Sequence, residues 1–146
     1  MNKTLRTKVR KYLAFLLIGS IVAGVTYLIV YKVSFLPNGY DIVALQKDSI
    51  SLKSYNVLGI EKAITTVSFS ENDIWKIDAI DYEVNRQKEF LWMLFFTVIL
   101  SLILFVYKVR NELKLWKAIF ESNIIFSALP LYIIITSLNR IRDLIY

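Results

Sequence analysis

The chain contains neither cysteine nor histidine. That double absence removes thiol nucleophiles, disulfide frameworks, histidine-based triads and the usual zinc and haem sites together, since each needs a thiolate or an imidazole. Glycine is scarce, four residues in 146, and each stands alone, so no glycine-rich loop is there to cradle a phosphate. Proline is rarer, at two. No nucleophile elbow and no HExxH helix occurs. Chemistry based only on carboxylates, lysine or tyrosine is left, and no such residues converge in the sequence. The expectation is a non-enzymatic protein without a cofactor or metal.

Apolar surface is what the chain has in excess. Hydrophobic residues make up 56% and the mean hydropathy is +0.51, more than a water-soluble chain of this size can cover. Phe90 to Tyr107 is a run without a charge or a glycine; as a helix it extends about 27 Å, close to the hydrocarbon thickness of a bilayer. Tyr12 to Tyr31 forms a second uncharged run of about 30 Å. Ile119 to Leu138 forms a third, with Glu121 as its one acidic residue. These runs predict an integral membrane protein with three transmembrane α-helices and a small extracytoplasmic β-rich (α+β) domain between helices 1 and 2. The net charge of +6 then finds its partner in the anionic surface of a lipid bilayer rather than in nucleic acid.

Charge asymmetry sets the expected order and orientation. Residues 1–11 carry Lys3, Arg6, Lys8, Arg10 and Lys11 and no acid, and form a basic cytoplasmic N-terminus. Helix 1 (12–31) is longer than the apolar core of a secretory signal, and no small-x-small cleavage site follows it, so it is expected as an uncleaved anchor. The extracytoplasmic domain (32–89) is followed by helix 2 (90–107). The cytoplasmic loop (108–118) has four basic residues against Glu112, with leucines and Trp116 spaced as in a helix lying on the membrane surface. Helix 3 (119–138) leads to an extracytoplasmic tail (139–146). The location implied is the plasma (inner) membrane. Tyr27, Tyr31 and Trp92 at one depth, and Tyr12, Tyr107 and Trp116 at the other, supply two aromatic belts.

Within 32–89, seven basic and nine acidic residues give a net of −2. Pro37-Asn38-Gly39 signals a turn; Ile42–Leu45, Ser49–Val57 and Ala63–Phe69 read as short strands, with turns at Lys47-Asp48 and Asn56–Gly59. From Ser70 two periods compete. Ser70 and Asp73 have capping-box spacing and Ile74, Ile77, Asp81 and Val84 share a helical face, whereas Ile80, Tyr82 and Val84 alternate as in a strand. The expectation is a strand or short helix that becomes continuously helical by about Val84. Asp73-Ile74-Trp75-Lys76-Ile77, after an alternating strand, resembles the strand-turn pattern of bacterial pleckstrin-homology-like domains, although the region is too short for a whole such domain. Glu71, Asp73, Asp78, Asp81 and Glu83 lack the glycine-punctuated loop of a calcium site and are expected as a solvated acidic face.

The candidate binding residues lie on the spans. Gly19 with Ala23, and Ser20 with Gly24, are each four apart and give helix 1 a shallow face, against which the bulky second span is expected to pack. Thr97 and Ser101 are the second span's polar pair. On a continuous third helix, Asn123, Ser127, Pro130, Ile134 and Ser137 fall on one stripe, expected to face protein or water because lipid cannot satisfy polar groups. Glu121, near the cytoplasmic end, is expected to pair with Lys117. The function these features suggest is binding another membrane or envelope component. The chain would act as an accessory or regulatory subunit of a larger membrane complex, or protect against a toxin in the manner of small bacteriocin immunity proteins. The alternative is a homo-oligomeric channel or holin-like pore with the Asn123 stripe lining water.

Overall fold

The computed structural model describes residues 3–146. Helix α1, Lys3–Tyr27, ends in a widened π turn, Leu28–Lys32, closed by the Val33 amide on the Leu28 carbonyl at 3.0 Å. Three antiparallel strands follow in the order β1-β2-β3: β1 Tyr40–Leu45, β2 Ser49–Tyr55 and β3 Glu61–Ser68. Next come α2, Trp75–Arg110, the short α3, Leu115–Glu121, and α4, Ala128–Ile145. Three helical stretches, 3–32, 71–110 and 124–145, are long and apolar enough to cross a membrane, with the small sheet between the first two.

The strands sit close to where alternation puts them. Asn38, in the left-handed region at φ 54, and the Gly39 amide on the Leu36 carbonyl at 2.8 Å make the turn that Pro37-Asn38-Gly39 signals. Ile42 opposes Leu52 and Ala44 opposes Ser51, so one extra residue, Val43, bulges β1. Ile50 and Leu52 on β2 are buried against Ile77, Ile80 and Val84 of α2 and Ile141 of α4. Leaving the Ile50 and Leu52 side chains in water would cost roughly 2 kcal/mol each, so this face fixes the register of the sheet.

Two expectations are corrected by α2. Of the strand and the short helix expected from Ser70, the strand is absent, and the chain is continuously helical from Trp75, well before Val84: Ile77, Ile80, Val84, Gln87 and Leu91 form one buried stripe at helical spacing, and Tyr82 is 63% exposed. The stretch resembling a pleckstrin-homology-like strand-turn is therefore a 3-10 turn, Glu71–Asp73, leading into a helix. The turn is held by the Asp73 amide on the Ser70 carbonyl at 2.8 Å and the Ser70 hydroxyl on Asp73 Oδ2 at 3.3 Å. With no glycine or proline anywhere in its 36 residues, α2 runs unbroken for about 54 Å.

The third span differs more. In place of one helix over 119–138, α3 stops at Glu121, Asn123 adopts the left-handed conformation (φ 61), and a 3-10 turn, Ile124–Ser127, leads into α4. Asparagine tolerates that conformation because its short amide side chain bonds locally. The segment 139–146 is no tail: α4 is helical to Ile145, and Ile141, Leu144 and Ile145 complete the core beneath the sheet. The sheet and helices thus share one core. A second cluster lies below it, where Val30, Leu36, Leu91 and Ile134 are buried among Tyr31, Tyr55, Phe90, Trp92 and Leu138.

Candidate functional site

The small-residue face of α1 does not receive the second span in the way its sequence suggests. Val22, Thr26 and Val30 are the buried positions of this helix and its π turn, and Ala23 is half-buried. Ala23 meets α2 through its carbonyl, which accepts the Trp92 indole N–H at 3.1 Å. Trp92 also stands edge-on to Tyr27 with centroids 6.3 Å apart, and Tyr27 stacks on Tyr31 at 4.5 Å, so these three aromatics form one cluster. Ser20 and Gly24 are exposed, and a Cβ built on Gly19 or Gly24 would find nothing within 4 Å. The reason is rotational. The helix turns Val22, Thr26 and Val30 toward α2, which swings Ser20 and Gly24 outward. Residues 3–18 are exposed throughout, and the inner half of α1 is separated from α2 by an apolar cavity of about 410 Å³ bordered by Phe15, Ile18, Ile103 and Leu104.

Of the polar pair on α2, Thr97 is bonded locally. Thr97 returns its hydroxyl to the Met93 and Leu94 carbonyls at 2.9 and 3.0 Å, and Ser101 is buried. The break at Asn123 divides the expected stripe on the third span. Asn123 is exposed and belongs to no helix, and Ser127 is half-buried with its hydroxyl on the Ile124 carbonyl. Pro130, Ile134, Ser137 and Ile141 form the buried seam of α4. The Ser137 hydroxyl is fully buried without a hydrogen-bond partner. Between α2 and the start of α4 a second apolar cavity, about 460 Å³, is bordered by Phe95, Val98, Ile125 and Leu131.

Above the spans, α2 is fastened to the rest by a column of polar contacts that sequence periodicity does not reveal. Glu83, expected on a solvated face, is only 2% exposed. Its Oε1 lies 3.4 Å from Arg140 of α4 and its Oε2 3.6 Å from Arg86, and Oε2 has no hydrogen bond. One turn further, Gln87 receives the Tyr40 amide on Oε1 at 3.1 Å and donates from Nε2 to the Tyr40 carbonyl at 3.4 Å. It thereby satisfies both backbone groups at the start of β1. Gly39 makes this approach possible, because a Cβ there would collide with the Gln87 amide. The Lys88 ammonium completes the column on Asp41 of β1. Asp41 also faces Tyr55, whose phenol is pushed above its ordinary value first by burial and then by that carboxylate.

At the opposite end, Lys108 of α2 donates to the Glu121 carbonyl at 2.7 Å and to its carboxylate at 3.0 Å. Lys117, the partner expected from spacing, is further away at 3.9 Å. Lys108 thus caps α3, which exposes Leu115, Trp116 and Phe120. No family model matches the chain, and no curated protein or solved structure matches it. Among the described residues, no group of three or more histidine, cysteine or acidic side chains is placed to hold a metal ion.

Proposed function

We propose that the three apolar helices cross the plasma membrane and that the protein works by binding a second membrane or envelope component along α1. The observation that carries this reading is the bare inner two-thirds of α1. Ser20 and Gly24 form an exposed shallow strip, and Gly19, half-buried on the side toward α2, has room for a Cβ with nothing of this chain within 4 Å, beside an unfilled apolar gap against α2. A partner helix can approach such a strip closely, and close approach is what favours helix association where lipid and side chain are equally apolar. An accessory subunit and a toxin-blocking protein would use this strip alike.

The pore reading needs polar groups turned toward water. Ser137 is instead buried along α4, and the break at Asn123 parts that exposed residue from it, which favours binding. The basic residues at 3–11 and 108–117 support an N-terminus in the cytoplasm, with the sheet and the end of α4 outside.

The test is purification from native membranes in mild detergent. The unaltered chain should retain a stoichiometric partner, and Gly19→Leu with Gly24→Leu should lose it while keeping an unchanged circular dichroism spectrum. Retention by the double variant, or dye leakage from liposomes holding the purified chain alone, would sink the proposal. Lysine labelling of intact cells checks orientation: Lys53 should react and Lys3, Lys8 and Lys11 should not.

A further inference from the structure

The turn between β2 and β3 carries the chain's most apolar loop, Val57-Leu58-Gly59-Ile60, and leaves it bare. Val57 is 68% exposed, Leu58 69% and Ile60 59%. In an aqueous loop these positions would be filled by polar residues. The fold points this tip toward the membrane. At the upper end of β2, Ile50 and Leu52 pack beside Ile77, Ile80 and Val84 of α2. At its lower end, Tyr55 joins Leu91 and Ile134, about two to four helical turns nearer the second span. The tip continues in that direction. Gly59 rests against the ring of Phe35, with 2.6 Å from that ring to where a Cβ would stand, and Phe35 packs on Phe95 with centroids 5.9 Å apart. Phe95 sits about 7 Å below Phe90 along the helix, inside the apolar run.

Most of the amides of the tip are also satisfied within the chain. Asn56 alone accepts three of its amides: Leu58 and Ile60 on Oδ1 at 2.9 and 3.0 Å, and Gly59 on the main-chain carbonyl at 2.9 Å. The Asn56 amide returns to the Ile60 carbonyl at 2.9 Å. Bonded amides lower the cost of bringing an irregular loop to the headgroup–acyl boundary, where its carbonyls still meet water. From depth, apolar side chains and bonded amides together, we infer that the side chains of Val57, Leu58 and Ile60 insert into the outer leaflet as a fourth attachment beside the three helices. The sheet is thereby held down on the lipid surface. This inference rests on α2 crossing the bilayer.

The native absence of cysteine makes a direct test simple. Leu58→Cys and, separately, Val57→Cys are labelled with an environment-sensitive fluorophore and reconstituted in vesicles of phosphatidylglycerol and phosphatidylcholine. Lys47→Cys, at the opposite end of the sheet, and Val106→Cys, at the far end of the apolar run on α2, serve as references. Both tip labels should shift to the blue and lose intensity with lipids brominated near the headgroup end of the acyl chain, while the label at position 47 does neither. Quenching at 106 with none at 57 or 58 overturns the insertion and leaves the spanning reading intact. No quenching at 106 removes the spanning reading and this inference with it. Tip labels shielded from aqueous iodide yet untouched by brominated lipid would show protein over the tip and also overturn the inference.

Discussion

Charge at the junction of α2 and α4 is distributed unevenly between water and protein. Glu83 is 2% exposed, whereas the side chains of Arg86 and Arg140 are 30% and 66% exposed. The arginines keep much of their hydration and the carboxylate keeps almost none. Removing the acid should therefore cost less than removing the bases. Glu83→Gln leaves two cations that turn to solvent, a loss of about 1 kcal/mol on the scale of partly exposed ion pairs. Arg86→Met with Arg140→Met preserves the apolar stems but strands a buried anion, for which the expected cost is about 3–5 kcal/mol. Adding Glu83→Gln to that pair should recover most of the loss, because no uncompensated charge then remains. Tryptophan fluorescence during denaturation in a constant detergent reads all four proteins, since Trp75 and Trp92 both lie on α2. The reasoning is refuted if Glu83→Gln is the most damaging change, or if the triple variant is no more stable than the double arginine variant.

Three further outcomes follow from backbone and core. Asn123→Gly should be neutral or better in thermal melts, and Asn123→Val should lose roughly 1–2 kcal/mol, because a β-branched residue resists φ 61; equal melts would mean the break lies elsewhere. Gly59→Ala should destabilise by at least about 1 kcal/mol, since φ is +71 and the Phe35 ring occupies the space a methyl needs. Truncation after Leu138 should make β2 and β3 exchange amide hydrogens rapidly, because Ile141 is part of their core; Ile141→Ala alone should cost about 2–5 kcal/mol. A freely dispensable end would leave exchange unchanged.

The first two apolar runs and the three strands are legible in the sequence because each rests on a local pattern. Ile50 and Leu52 alternate with serines, and the turns at Asn38 and Gly59 carry residues suited to positive φ. The start of α2 was hidden because its buried stripe includes Glu83 and Gln87, polar residues at core positions, whereas Ile80, Tyr82 and Val84 mimic a strand. What makes those two polar positions intelligible is Arg140 and Tyr40, more than forty residues away in each case, and pairings at that separation leave no periodic trace. The break at Asn123 was obscured by the apolar residues around it; Ser122-Asn123, following Glu121, was the signal available. The small residues of α1 were identifiable, but not which of them would turn toward α2, since that depends on the Trp92 contact.

The unbroken course of α2 has a mechanical consequence. A kink or hinge absorbs displacement, and this helix has neither. The sheet is bolted to its upper half through Gln87 and Lys88, and α3 is clasped to its lower end through Lys108. A tilt or rotation imposed on the sheet therefore arrives at α3 as the opposite swing of one stiff lever.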